Sequence, residues 1–364
     1  MKRFFFWCLL IAVVVALTEL FGTLAFELPT NERASDMRKI RKLLLGEASA
    51  TEYPRFLPLA NLNYISYPGA VRNGVQQNNK DGYRGEAVDV NRNKNYRILF
   101  LGGSTTYGIG VPYPNQSYPE QLKKLLELQL QNDAGGSKKY TGVEIINAGI
   151  EYGTSSEEVI QYLFKYRYYH PDLCVINSGI NDAMNDPEGK DYSPDYTNTR
   201  NIDFAIQPVP VQTRWLLRSR FVSFLVIPLF YDHLLQHRDG YLVNHAPPFY
   251  VKWFKQTKSP INAFYYNMNT LLRELEADSV AVILVTSAYK RIDSLNDSYY
   301  KNIELNNRIL AELGATYKKA VVDFNYETFE CKECFIDDCH LNEKGETDKA
   351  SLVAPKVIEM LSRK

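Results

Sequence analysis

Ser104 sits in a glycine-rich turn, Leu101–Gly102–Gly103–Ser104–Thr105–Thr106, and His340 sits far downstream in Asp337–Asp338–Cys339–His340. A hydroxyl nucleophile, an imidazole to take its proton and a carboxylate to orient the imidazole are the parts of acyl transfer through a covalent intermediate. Donors for the developing oxyanion complete the set. The glycines permit a tight turn that presents the serine at a helix N-terminus. A phosphate-binding loop has similar texture, but no Gly-Lys-Ser/Thr follows, so a Walker loop is set aside. Aspartate three residues before histidine lets one short loop hold both acid and base. Asp338 competes for the role of acid; the three-residue spacing favours Asp337.

The elements that must position these residues are legible as an alternation. Arg97–Leu101, Val143–Ala148, Leu173–Asn177, Ser279–Thr286 and Ala320–Asp323 are apolar runs of strand length. Between them lie helical patterns at Tyr118–Gln131 and at about 155–168, 262–277 and 298–313. A last one, at about 343–361, is capped by Asn342. Alternating strands and helices predict an α/β fold, a three-layer α/β/α sandwich around a mostly parallel five-stranded sheet. In such a sheet the groups after the strand ends meet in one crevice. Ser104, Gly153, Gly179, Asn181 and His340 all follow strand ends.

Taken together these residues resemble the SGNH or GDSL hydrolase superfamily, in particular its membrane-anchored bacterial members with a GGS-type first block. The resemblance covers roughly residues 79–361, from the lead-in Asn79–Lys80–Asp81–Gly82–Tyr83–Arg84–Gly85 onward. It implies Ser104 as nucleophile, Asn181 in Gly179–Ile180–Asn181–Asp182 as an oxyanion donor, and Asp337 and His340 as acid and base. Two positions depart from the pattern. Gly103 stands where the family motif has aspartate. In Asn147–Ala148–Gly149–Ile150–Glu151–Tyr152–Gly153, Tyr152 stands where the oxyanion glycine is expected. A backbone N–H is the donor there and tyrosine has one, so either Tyr152 or, after a one-residue shift, Gly153 supplies it. Asp182 is expected to tie a loop.

The resemblance implies a carboxylic ester hydrolase acting on a lipid or an O-acylated glycan. An O-acyltransferase using the same serine, and a non-catalytic glycan-binding or scaffold protein, are the alternatives. Lys plus Arg and Asp plus Glu both number 42, so no net field favours nucleic acid. No motif calls for a metal or organic cofactor.

Residues 1–29 are expected to form a signal-anchor helix. Lys2 and Arg3 precede an apolar run that Glu19 alone interrupts before Phe26, and the run is long enough to cross a bilayer. A cleaved signal peptide is the rival. The two basic residues favour a cytoplasmic N-terminus, which places the body of the protein outside the cytoplasm. Residues 30–95 read as a linker and irregular lead-in packed on the main domain, and 96–364 as the catalytic domain. About 185–260 form a cap or lid insertion, in which Phe221–Tyr231 is too short to span a membrane and Pro228 argues against a straight helix. Among Cys331, Cys334 and Cys339, a disulfide is expected as Cys334–Cys339 or Cys331–Cys339. Free thiols and zinc at Cys331-x-x-Cys334 are the rivals.

Overall fold

The computed structural model describes residues 2–31, 33–35, 37, 38, 41, 56–59, 62–91, 93–132, 140–185, 211–238, 262–293, 295, 297–325, 329 and 331–363. The first element is a long helix, α1 (Lys2–Glu27). Two small antiparallel hairpins follow, β1 (Phe56–Leu59) with β2 (Asn63–Ser66), and β3 (Val71–Arg72) with β4 (Val75–Gln76). The alternating part runs β5 (Tyr96–Gly102), α2 (Ser104–Tyr107), α3 (Tyr118–Asn132), β6 (Val143–Asn147), α4 (Ser155–Phe164), β7 (Leu173–Asn177) and α5 (Ile180–Asn185). After α6 (Arg220–Arg238) it resumes with α7 (Ala263–Ala277), β8 (Ala281–Val285), α8 (Asp297–Thr316), β9 (Ala320–Val322) and α9 (Glu343–Arg363).

β5 to β9 form one parallel sheet in the order β6-β5-β7-β8-β9. Alternate side chains of each strand bury on opposite faces, which explains the near-continuous apolar runs. Tyr96, Ile98 and Phe100 pack with Tyr118, Leu122 and Leu126 of α3 and Val353 and Val357 of α9. Leu99 and Leu101 pack with Tyr162 of α4, Met268, Leu271 and Leu272 of α7, and Leu310 and Leu313 of α8. Each fully buried side chain of this size contributes about 1.5–3 kcal/mol. The three-layer α/β/α sandwich is the expected one.

The helices begin and end for local reasons. Thr154 and Glu157 form a capping box at α4: both the N–H and the hydroxyl of Thr154 donate to the Glu157 carboxylate, at 2.8 and 2.7 Å. α4 ends at Phe164, and a 3-10 turn at Tyr166–Tyr169 occupies the rest of the stretch expected to be helical to 168. Asn342 accepts from Gly345 N–H at 3.1 Å and starts α9 as expected.

The chain divides into two units, Met1–Pro54 with Asn201–Val243, and Arg55–Arg200 with Asn244–Lys364. Of the cap expected at 185–260, residues 186–210 and 239–261 lie outside the described ones. In the first unit, α6 packs on the C-terminal third of α1. Gly22 meets Phe221 so closely that a Cβ there would lie 2.3 Å from the Phe221 Cα, and Phe21 makes edge contacts with Phe221 and Phe224. Small residues permit such helix approaches. The apolar patch is helical, and α6 runs through Pro228. Proline removes one backbone donor and crowds the preceding turn; contacts from Phe221 and Phe224, together with buried Ser223 and Ile227, hold the helix on the N-terminal side of that defect.

Candidate active site

β5 delivers Ser104 to the carboxyl edge of the sheet. At Gly102, φ is +155°, and a Cβ would lie 2.2 Å from both the Asn177 carbonyl oxygen and Thr106 Oγ1. Only glycine lets the chain turn this close to β7. Ser104 then opens the one-turn helix α2, so its own N–H has no helical acceptor. The turn is closed by the N–H groups of Gly108 and Ile109, which donate to the Ser104 carbonyl at 2.9 and 3.2 Å. Ser104 is buried.

Asp337 and His340 come from the loop between β9 and α9. Phe335 pairs with Leu341, and the Ile336 N–H donates to the His340 carbonyl at 2.9 Å, so Asp337 lies at the tip of a tight hairpin. Asp337 Oδ1 accepts from the N–H groups of Cys339 (3.0 Å) and His340 (2.8 Å). Asp337 Oδ2 is 2.7 Å from His340 Nδ1, and His340 Nε2 is 2.7 Å from Ser104 Oγ. Burial raises the Asp337 carboxyl, but bonds from the His340 ring and two backbone N–H groups outweigh it and hold the group below the usual aspartate range. An anionic Asp337 accepts from Nδ1–H, which leaves Nε2 to accept from the serine hydroxyl. Asp338 is turned away and accepts from the Tyr299 hydroxyl at 2.8 Å.

Asn181 stands at the start of α5. Its Nδ2 donates to the Gly153 carbonyl at 2.8 Å, and a Cβ on Gly103 would lie 2.6 Å from that same Nδ2. Gly103, where the family motif has aspartate, is therefore the residue against which Asn181 closes. The Gly153 N–H donates to Ile150 O at 3.0 Å within the turn. Tyr152 takes a left-handed conformation, φ 59°, where glycine is the least strained residue. Asp182 accepts from the Ser155 N–H and hydroxyl and so ties the loop to the start of α4, as expected.

Two further residues, to which sequence reading gave no role of their own, hold this arrangement. Asn147 accepts from Gly149 N–H and donates to the Tyr107 carbonyl, at 3.1 and 3.3 Å. Arg84, from the lead-in, is fully buried and donates to the carbonyls of Gly108 (2.9 Å) and Val111 (2.8 Å). The lead-in pattern pointed toward Arg84, but only its burial shows that it braces the nucleophile turn.

The disulfide is Cys331–Cys334, which corrects both expected pairings; Cys339 is a free, buried thiol. The 3-10 turn at Lys332–Cys334 brings the first two sulfurs together, whereas Cys339 packs with Tyr299, Tyr300 and Ile303. Burial, then the neighbouring Asp338 and Asp337, push its thiol well up. Two groups bring three potential metal-ligand atoms close together: Cys331, Glu333 and Cys334, and Asp337, Cys339 and His340. Neither fits a metal. The first has its sulfurs bonded to each other, and the second has both ring nitrogens of His340 facing Asp337 and Ser104.

No curated protein matches the chain in sequence. Similar solved structures include the acetyl xylan esterase AlAXEase, at 14% identity over 72% of this chain and 99% of that one, with a TM-score of 0.42. The acetylxylan esterase Axe2 from Geobacillus stearothermophilus has 14% identity over 73% of this chain and 94% of its own, with a TM-score of 0.41. The lipase/acylhydrolase from Enterococcus faecalis has 15% identity over 72% and 94%, also at 0.41. The family described as GDSL-like Lipase/Acylhydrolase matches residues 100–347. That span runs from within β5 to within α9 and takes in Ser104, Asn181, Asp337 and His340, and the chain belongs to this family.

Proposed function

We propose that this chain hydrolyses carboxylic esters through an acyl-enzyme on Ser104, on an extracytoplasmic domain held at the membrane by α1. The observation that carries the reading is the unbroken line from Ser104 Oγ through the His340 ring to Asp337, with 2.7 Å at each step. His340 Nε2 takes the hydroxyl proton as Oγ attacks the ester carbonyl, and Asp337 stabilises the imidazolium that forms. The Ser104 N–H and the Asn181 amide hold the oxyanion. Because the Gly153 N–H is engaged with Ile150, the third donor in this reading is the Tyr152 N–H. His340 then returns the proton to the leaving alcohol, and water attacks the acyl carbonyl by the reverse path.

The GGS form of the first block belongs to the same reading, since Gly103 leaves room for Asn181. Support for the anchor is α1 itself: Arg3–Glu27 is long and apolar enough to cross a membrane. An acylated glycan and a lipid ester both suit this chemistry, as does transfer of the acyl group to a sugar hydroxyl in place of water.

The test is fluorophosphonate labelling of the full-length protein in detergent, beside Ser104→Ala, with the modified peptide located by mass spectrometry. Labelling at Ser104 that vanishes in the variant is expected. Labelling elsewhere, or none in folded protein, overturns the reading. Acyl release from p-nitrophenyl acetate, with and without a sugar acceptor, then separates hydrolysis from transfer.

A further inference from the structure

Beneath the nucleophile turn lies a lysine that the mechanism above does not use. Lys349 projects from α9 and is almost wholly buried. Its ammonium donates to Asn177 Oδ1 at 2.7 Å and to the Thr105 carbonyl at 3.4 Å, and stands 4.0 Å from the centre of the Tyr118 ring. All three of its protons thus face acceptors, two neutral oxygens and an aromatic face. No carboxylate lies within ion-pair distance of it among the described residues. Glu346, one turn earlier on α9, accepts from the Tyr118 N–H at 2.7 Å instead.

Burying an ammonium with no anion in contact is costly, and an apolar side chain would pack against Tyr118 and Phe324 without that cost. What the lysine holds explains its place. Thr105 directly follows Ser104. Asn177 ends β7, and its amide donates to Val285 O, Thr286 O and Ser287 Oγ at 3.0, 3.0 and 3.2 Å, which ties in the end of β8. Asn177 O also accepts from Thr106 Oγ1 at 3.2 Å. Arg84 holds the far end of the same turn through Gly108 and Val111.

We propose that Lys349 is a positioning residue for the nucleophile: its ammonium fixes the turn that begins at Ser104 against the ends of β7 and β8. Its charge also lies against the carbonyl of the residue that follows Ser104, where burial makes it felt more strongly than in water. Burial pushes the Lys349 ammonium down and the Glu346 carboxyl up, each opposed by the other's charge.

The assignment rests on Ser104 being the nucleophile, so its test has one readout tied to turnover and one that is not. Full-length Lys349→Met and Lys349→Gln are compared with the parent in detergent. For p-nitrophenyl acetate, kcat per titrated active site should fall by roughly 10- to 100-fold in Lys349→Met with KM within about twofold, less than the about 10²–10³ that loss of a direct oxyanion donor costs because Lys349 acts through the turn. Lys349→Gln, which keeps a donor for the Thr105 carbonyl, should recover part of the loss. Amide hydrogen exchange in the peptide carrying residues 100–111 should quicken in Lys349→Met whether or not the parent turns the ester over. A folded Lys349→Met with parental kcat overturns the proposal, and so does parental exchange in that peptide. A parent that exchanges as expected but does not react at Ser104 overturns the hydrolase reading alone.

Discussion

Tyr152 and Gly103 are the two residues at which this chain leaves the family pattern, and each has a physical consequence. A non-glycine residue in the left-handed region costs about 1–2 kcal/mol, and Tyr152 sits there with φ 59°. Tyr152→Gly removes that strain but returns conformational freedom to the unfolded chain. We expect a stability change within about 1 kcal/mol, with kcat/KM within about threefold because the backbone N–H is retained. A much larger loss of activity with unchanged stability in thermal melts would show that the ring itself contacts substrate. At Gly103 the constraint is space. Gly103→Ala puts a methyl 2.6 Å from Asn181 Nδ2 and must displace that side chain. Its turnover should fall toward that of Asn181→Ala, for which about 10²–10³ is expected from the loss of one oxyanion donor. Combining the two changes should add little, and fully additive losses in the double variant would separate them.

At the level of elements, α4 carries a polar face into the interior beside the loop that leads to α5. Glu158 is fully buried; one oxygen accepts from the Ser178 hydroxyl at 2.6 Å, and the other has no partner among the described residues. Burial first, and then the nearby Asp182 carboxylate, push its carboxyl well above the usual range. The folded state therefore keeps a proton on Glu158 at a pH where the unfolded chain, with a glutamate value of about 4.3, has released it. By linkage its contribution to stability is present below about pH 4 and is lost as pH rises toward the raised folded value. Glu158→Gln should remove this slope. Between pH 5 and 8 the melting temperature of the parent should decline more than that of the variant, and parallel curves would contradict the assignment. The elements themselves were readable because each strand is apolar on both faces and each helix has one apolar stripe. Lys349 and Glu346 were not, and the lead-in marked Arg84 without its role, since a charged residue in a sequence reads as solvated until the fold buries it.

For the molecule as a whole, the pairing of α1 with α6 is the least expected result. Glu19, an interruption in the apolar run when read along the chain, accepts from the Ser219 hydroxyl at 2.7 Å and the Arg220 N–H at 2.6 Å, and so caps α6. Arg41 donates to Leu217 O, in the 3-10 turn before α6, and to Ser223 Oγ on α6, both at 3.1 Å. Deleting residues 1–29 therefore removes more than the proposed anchor: it uncovers Phe221, Phe224 and their neighbours. The truncated chain should partition into detergent or aggregate, whereas further removal of residues 211–238 should release a monodisperse remainder. Sedimentation in detergent-free buffer distinguishes these outcomes. A soluble chain lacking only residues 1–29 would show that α6 does not depend on α1.

Period and punctuation in the sequence suffice for the parallel sheet, its flanking helices and the placing of Ser104, Asn181, Asp337 and His340 after strand ends. Those features follow from local patterns, an apolar run of strand length or a glycine at a turn, and parallel topology then brings the strand ends together. Contacts between distant segments are decided only when the chain closes. Which sulfur reaches Cys331 depends on a one-turn helix, and which carboxylate faces His340 depends on a hairpin bridged by Phe335 and Leu341. That Lys349 lies under Thr105 depends on the packing of α9 against β5 and α3. Side-chain burial is a property of the assembled layers, and the energy of a charge changes most with burial. The supporting cations and the buried acid of this site could therefore be recognised only in three dimensions.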